Sequence, residues 1–133
     1  MIRVLWAVAA AGVGLAAGCT SRSTAAALDD ERKGALEEIG QTLKGLADEG
    51  RKPPSKPADL NSIEPLLPTA GAKIRSGDIV YVWGAGYASG GTQLVAWEKV
   101  VPESGGYVLQ QDGTVKNVSP GEFQSAAKAK AGP

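Results

Sequence analysis

The sequence contains no histidine and only one cysteine, Cys19. Histidine is the commonest general base and the commonest metal ligand, so its absence removes the usual routes to acid–base and metal chemistry. A single cysteine excludes an intrachain disulfide and a cysteine-based zinc site. We therefore predict a protein that is not an enzyme and that uses no metal and no cofactor.

An excess of basic charge is also missing, since Lys and Arg total 14 and Asp and Glu total 14. Binding to nucleic acid requires clustered Lys and Arg to neutralise phosphates, so a nucleic-acid partner is excluded. Aromatic residues make up only 5% of the 133 residues. A chain of this length and composition predicts one domain with a modest core.

The N-terminus has the pattern of an export signal. A positive start, Met1–Arg3, precedes an apolar run of about 14 residues, Val4–Ala17, which is shorter than the roughly 18 residues of a spanning helix. Small residues then lead to the cysteine in Leu15-Ala16-Ala17-Gly18-Cys19. This stretch resembles the lipobox of bacterial lipoproteins, although Ala16 stands where leucine is most usual. The resemblance implies cleavage between Gly18 and Cys19 and lipid on Cys19.

A lipid on Cys19 would anchor the protein in the membrane. Each buried CH₂ of an acyl chain contributes about 0.8 kcal/mol to membrane binding, so two or three chains give a stable anchor. The alternative is an ordinary secretory signal with a chance cysteine, but an exposed thiol is a liability in an exported protein. Thr20, rather than aspartate, follows the cysteine. An inner-membrane retention signal of the enterobacterial type is therefore missing, which favours the outer membrane. We predict a signal peptide over residues 1–18 and an exported, membrane-anchored lipoprotein.

Residues 19–27 are small and polar and predict a flexible lipidated tether. From Leu28 an apolar stripe at steps of three and four predicts a helix, which Ser23 or Thr24 could cap. The stripe consists of Leu36, Ile39, Leu43 and Leu46. We interpret Asp29–Glu31 as its solvated first turn rather than a metal or catalytic cluster, since adjacent helical side chains do not converge.

Gly50 followed by Arg51-Lys52-Pro53-Pro54 predicts the end of this helix. Residues 53–68 contain five prolines. They predict a stiff, mostly extended connector, with one short turn at Asp59–Leu66.

Four strands are predicted beyond the connector: Ile79–Trp83, Leu94–Val101, Tyr107–Gln110 and Thr114–Val118. The first is apolar on both faces, which is typical of a strand that has neighbours on both sides or of one that is covered well. Gly84–Gly91 begins with a GxG pattern, but Ser89 replaces the third glycine and no helix is predicted after it. We interpret it as a flexible hairpin loop and not a phosphate-binding loop.

Asp112-Gly113 marks the best-defined hairpin. A two-residue turn would place Leu109 opposite Lys116, whereas a three-residue loop places Leu109 opposite Val115 and matches the apolar pattern, so we favour the latter. Next, Ser119–Glu122 forms a capping-box sequence with proline at the first helical position. It predicts a short helix to about Lys128, followed by a frayed tail at 129–133.

Together these elements predict an α+β fold: an amphipathic helix packed on a four-stranded antiparallel meander, with a short C-terminal helix. Residues 28–128 would form this single domain.

Leu94–Phe123 resembles the C-terminal segment of bacterial pilin-like proteins that carry a His-x9-Asp-Gly signature. The helix followed by Gly50 and Pro53-Pro54 is similar to the helix, glycine and proline pair that precede the sheet in pilin-like domains. The resemblance implies a pilin-like fold and an interaction role, with Asp112 and Gly113 as a structural turn. Pro102 stands in place of the signature histidine, and the long apolar assembly helix is missing, so an assembled fibre is not implied.

We therefore expect a lipid-anchored, non-enzymatic interaction or structural module of the cell envelope. Its partners would be the membrane, through Cys19, and an envelope or type II secretion-related protein. The alternative is a small-ligand-binding lipoprotein, for example one that stacks carbohydrate on Trp83, Tyr87 and Trp97. An enzyme is least favoured: the sheet-region acids are Asp78, Glu98 and Asp112, of which Asp112 is a turn residue and Glu98 is expected to pair with Lys99 or solvent.

Overall fold

The computed structural model describes residues 19–132, with side chains from Thr24 onward. The predicted signal peptide, including Gly18, and Pro133 lie outside the described residues. The α-helices are α1 (Cys19–Asp48), α2 (Leu60–Ile63), α3 (Ala70–Ser76), α4 (Val101–Ser104) and α5 (Pro120–Ser125). The strands are β1 (Ile79–Tyr81), β2 (Leu94–Glu98), β3 (Gly106–Gln110) and β4 (Val115–Val118). They form one antiparallel sheet in the order β1-β2-β3-β4. The predicted α+β meander is confirmed.

The predicted stripe of α1 faces the sheet. Its four members are at most 5% exposed: Leu36, Ile39, Leu43 and Leu46. They share one core cluster with Tyr81, Ala96 and Leu109 of the sheet. Burial of this stripe stabilises a helix that contains Gly34, Gly40 and Gly45, each of which disfavours helix formation.

The start of α1 differs from the prediction, because residues 19–27 are helical where we expected a flexible tether. Ala25–Ala27 favour a helix, and the sequence has no glycine or proline between Cys19 and Gly34 to stop it. Neither Ser23 nor Thr24 caps the helix, since both lie inside it, and Asp29–Glu31 are not its first turn. Leu28 is 57% exposed, so the helix extends beyond its cover.

The C-terminal end of α1 is as predicted. Gly50 adopts the left-handed conformation with φ of +67°. The Arg51 N–H donates to the Leu46 carbonyl at 2.8 Å, and the Gly50 N–H donates to the Ala47 carbonyl at 3.0 Å. This is the Schellman pattern, which satisfies the last helix carbonyls and turns the chain out of the helix.

The proline-rich segment is not the extended connector that we predicted. A 3₁₀ turn at Pro57–Asp59, helix α2 and a second 3₁₀ turn at Glu64–Leu66 follow one another. Prolines occur in the first positions of both 3₁₀ turns, where the missing N–H has no cost. Leu60, Ile63 and Leu67 are buried in the main core at spacings of three and four residues.

Helix α3 was not predicted. The Glu38 side chain of α1 accepts the backbone N–H groups of Thr69 and Ala70 at 3.0 and 2.8 Å, so it supplies the cap that the local sequence lacks. Gly77, with φ of +84°, ends the helix.

The first two strands are shorter than predicted. β1 ends at Tyr81 and is an edge strand, and Val80 is 38% exposed, so the expectation of neighbours on both sides or of good cover is wrong. β2 ends at Glu98, because the chain turns into α4, where Pro102 occupies an early helical position.

The predicted hairpin register is confirmed, with Leu109 opposite Val115. The Gln110 N–H donates to the Thr114 carbonyl at 2.9 Å, which closes a three-residue loop, and Gly113 has φ of +88°. The capping box is also present: the Ser119 Oγ accepts the Glu122 N–H at 3.1 Å, and the Glu122 carboxylate accepts the Ser119 N–H at 3.0 Å. Its helix is shorter than predicted and ends at Ser125.

The expected fraying of the C-terminal tail is wrong for the described part. The Leu94 N–H donates to the Ala127 carbonyl at 2.9 Å, and the Leu94 carbonyl accepts the Ala129 N–H at 2.8 Å. Ala129 is buried in the main core. The backbone of β2 thus gains a partner at its first residue, which the composition of the tail did not indicate.

The sheet face away from α1 is covered by α5. Phe123 packs there against Val108, Val118 and Trp97, with ring centroids of Trp97 and Phe123 5.2 Å apart. In β2, Ala96 contributes to the α1 side and Trp97 to the α5 side, whereas Val95 and Ala96 both belong to the α1-side cluster, at the register irregularity between Leu94 and Ala96.

Glycine substitutions in α1 test how closely it approaches the sheet. Gly45→Ala is expected to stabilise the fold by about 0.5–1 kcal/mol, because an added Cβ has no neighbour within 4 Å and alanine favours the helix. Gly40→Ala is expected to give no such gain, since its Cβ would lie 3.1 Å from the Leu109 Cδ1 and 3.4 Å from the Gly113 Cα. Urea denaturation of the pair measures the difference. Equal gains in both variants would contradict close packing at Gly40.

Candidate functional site

A sizeable cleft lies at the C-terminal end of α1. Its volume is about 570 Å³, within the range of ordinary ligand sites. The lining comes from the end of α1, the proline-rich segment, the loop after β1 and the tail: Leu46, Arg51, Lys52, Pro53, Pro54, Ser55, Asp59, Ser62, Ile63, Gly84 and Gly132. We refer to this feature as the distal cleft.

The apolar part of the distal cleft comes from buried residues. Leu46 and Ile63 are 3% and 4% exposed, and Pro54 is also buried. Two successive prolines have fixed φ and no N–H, so this wall is rigid and donates no backbone hydrogen bond. The cleft therefore has a preformed shape.

The loop and the tail close the opposite wall. The Gly84 N–H donates to the Pro54 carbonyl at 2.7 Å, and the Gly132 N–H donates to the Trp83 carbonyl at 3.1 Å. Gly84 has φ of +86°, and a Cβ there would lie 2.4 Å from the Gly132 nitrogen. Only glycine fits this approach, so the wall depends on it.

Charge is unevenly distributed over the distal cleft. Arg51 forms an exposed ion pair with Glu49 at 3.3 Å, and Lys52 forms no ion pair within residues 19–132. Asp59 accepts the N–H and the Oγ–H of Ser55 at 2.9 and 3.0 Å. The backbone hydrogen bond from Ser55 holds the pKa of Asp59 below its usual value. The cleft thus presents one cation without an ion pair, Lys52, one cation in an exposed pair, Arg51, and one carboxylate that is already hydrogen-bonded.

A second polar cluster joins α1 to the sheet. Glu98 is 8% exposed and accepts hydrogen bonds from Arg32, Nε to Oε1 at 2.6 Å and Nη2 to Oε2 at 2.8 Å. It also accepts the Tyr107 N–H at 2.8 Å. The Tyr107 hydroxyl donates to Asp29 at 2.5 Å, and the Arg32 guanidinium lies 5.6 Å from the Tyr107 ring centroid. The expectation that Glu98 pairs with Lys99 or solvent is therefore wrong.

This α1–sheet cluster has the character of a structural tie. The hydrogen bond to Asp29 raises the pKa of Tyr107, and the hydrogen bond to Glu98 raises the pKa of Arg32. Both shifts stabilise the protonated donor against its carboxylate. Arg32 and Tyr107 are therefore held as protonated donors to Glu98 and Asp29, which ties α1 to the sheet.

The aromatic residues expected to stack a ligand do not form one surface. Trp83 packs edge-on against Tyr81 at a centroid distance of 5.1 Å, on the α1 side. Tyr87 is half-buried on the same side, and the Lys44 Nζ lies 5.8 Å from its ring centroid. Trp97 lies on the opposite face of the sheet against Phe123. A ligand could not stack on all of these rings at once.

The remaining acids that we considered have separate partners. Asp112 Oδ1 accepts the Thr114 N–H at 2.9 Å within the hairpin loop, which lowers the pKa of Asp112. Asp78 accepts the Ser76 hydroxyl at 2.9 Å. Across residues 19–132, no group of three or more metal-binding side chains could hold an ion.

The sequence did not indicate the distal cleft, because its walls come from four separated segments. The one local signal was Arg51-Lys52-Pro53-Pro54, which we interpreted as a helix stop. Within the described part of the chain, no helix is long and apolar enough to cross a membrane. Comparison of the chain with known protein families, with curated proteins and with solved structures found no match.

Proposed function

We propose that this protein is a lipid-anchored protein of the cell envelope whose globular domain is a non-enzymatic interaction or structural module. The observation that carries the proposal is the continuity of α1, which runs without a break from Cys19 to Asp48. A lipid on Cys19 would therefore be joined to the domain by a helix and not by a loose linker. Such a connection holds a domain at a defined distance from the bilayer.

The length of α1 gives the geometry of this display. Asp29 of α1 is hydrogen-bonded to Tyr107 of the sheet, and the helix begins ten residues earlier, a length of roughly 15 Å. The whole 30-residue helix spans roughly 45 Å. The distal cleft lies at the end of α1 opposite to Cys19 and would face away from the membrane.

A long helix on a four-stranded antiparallel meander supports the pilin-like interaction role. The partner in this proposal is another envelope protein, with a type II secretion-related component as one such partner and the outer membrane as the location. The separation of Trp83 and Trp97 onto opposite sheet faces favours this role over carbohydrate stacking.

The lipid anchor is tested with Cys19→Ala in cells grown with labelled palmitate. We expect the unaltered protein to incorporate label and to lose residues 1–18. Cys19→Ala is expected to carry no label and to keep residues 1–18, since the lipoprotein peptidase cuts before a lipidated cysteine. Fluorography and intact mass measure the two results.

Thr20→Ala is the matched control and should be labelled and cleaved like the unaltered protein. Equal labelling of the Cys19→Ala variant would place the lipid on another residue, and a cleaved unaltered protein without label would show an ordinary secretory signal. Either result overturns the anchor at Cys19.

A further inference from the structure

We propose that the distal cleft binds an extended peptide segment of a partner protein, and that this segment carries a carboxylate side chain held by Arg51 and Lys52. The proposal deepens the interaction role proposed above, on which the membrane-distal placement of the cleft rests. Its chemistry depends only on the cleft itself.

The shape of the surface indicates an elongated occupant. A second cavity of about 290 Å³ adjoins the distal cleft and shares Leu46 and Arg51 with it. Leu66, one of the few large apolar residues that are more than half exposed, lines this second cavity. The two depressions on either side of Arg51 fit an extended chain whose apolar side chains enter both.

The charges indicate an acidic occupant. Lys52 forms no ion pair within the described residues, and the Arg51–Glu49 pair is exposed. Exposed ion pairs contribute little to stability. Arg51 can therefore exchange Glu49 for a partner's carboxylate that lies in a more enclosed position. A guanidinium binds a carboxylate with two parallel hydrogen bonds, which fixes its orientation.

The acceptor groups near Arg51 and Lys52 in the distal cleft already have hydrogen-bond partners. The Leu46 and Ala47 carbonyls, which could compete for them, accept N–H groups from Arg51 and Gly50. Asp59 is likewise engaged by Ser55. The second cavity is lined by two more carboxylates, and both are engaged: Glu38 accepts the N–H groups of Thr69 and Ala70, and Glu49 pairs with Arg51. Lys52, which has no ion pair among the described residues, would therefore meet an incoming carboxylate first.

The test uses the full chain, purified in detergent, and a phage library of random seven-residue peptides. We expect the selected peptides to be enriched in Asp or Glu flanked by apolar residues. Binding of the selected peptides to the Arg51→Ala/Lys52→Ala variant is expected to be weaker by about tenfold or more. Leu66→Ala should also weaken binding, because it removes an apolar contact.

Lys99→Ala/Lys116→Ala removes the same charge from exposed positions outside the cleft and should bind the peptides like the unaltered protein. Arg51 contributes its backbone N–H to the helix end, so alanine keeps that contact, and thermal unfolding verifies the fold. The proposal is overturned if acidic sequences are not enriched, or if the cleft variant and the control bind equally. The phage selection is done in detergent and does not depend on lipidation. A failed selection can therefore be distinguished from a failed lipid anchor.

Discussion

Replacing Glu98 with glutamine is expected to lower the free energy of unfolding by about 2 kcal/mol. Glu98 is buried, and its carboxylate receives two hydrogen bonds from Arg32 and one from the Tyr107 N–H. Glutamine keeps the shape of the side chain, but its NH₂ group would face an N–H donor of Arg32 or Tyr107, and the negative charge would be lost. Breaking a buried pair typically costs about 3–5 kcal/mol, but the Arg32 side chain is 43% exposed and can regain water, which reduces the loss.

The opposite substitution, Arg32→Met, is expected to cost more, about 3 kcal/mol. It leaves the carboxylate of Glu98 in a site where that side chain is 10% exposed, and a buried charge without its partner is strongly unfavourable. The double variant should be less destabilised than the sum of the two single variants, because removal of the second partner removes the unpaired charge. Urea denaturation of all three variants provides this cycle.

Lys44→Met, which breaks an exposed pair with Asp48, is the control and should unfold near the midpoint of the unaltered protein. If the two single effects simply add, the close geometry of Arg32 and Glu98 does not stabilise the fold.

Elements with local determinants were predictable from the sequence. The loop at Asp112-Gly113 depends on a glycine that tolerates positive φ and on the apolar pattern of the two flanking strands. The capping box depends on two residues three positions apart. The apolar stripe of α1 has the helical period. Each of these features is contained within about ten residues, so the residues that decide it can be recognised together.

The polar cluster and the distal cleft depend on residues that are distant in sequence. Arg32 and Glu98 are 66 positions apart, and Asp29 and Tyr107 are 78 positions apart. The sequence places Lys99 beside Glu98, but adjacent residues in a strand point to opposite faces, so Lys99 could not follow Glu98 into the interior. Only the packing of α1 across β2 and β3 brings the true partner close.

The proline-rich segment shows how composition can obscure a periodic signal. Leu60, Ile63 and Leu67 have the spacing of a helical face, but Pro57 and Pro65 lie close to them and favour an extended interpretation. Proline disrupts a helix interior, whereas the structure places Pro57 at the first and Pro65 at the second position of a short 3₁₀ turn.

Leu60→Ala is expected to destabilise the protein by about 3 kcal/mol, within the usual range for a buried leucine. Leu60 is 2% exposed and packs in the main core, so truncation removes buried apolar surface and leaves a cavity. Leu66→Ala, in the same segment, is the matched control: Leu66 is 55% exposed, and its loss should cost about 0.5 kcal/mol or less. Urea denaturation measures both. If the segment were a connector outside the core, both variants would have small effects. A urea midpoint of Leu60→Ala close to that of Leu66→Ala would therefore show that the segment does not contribute to the core.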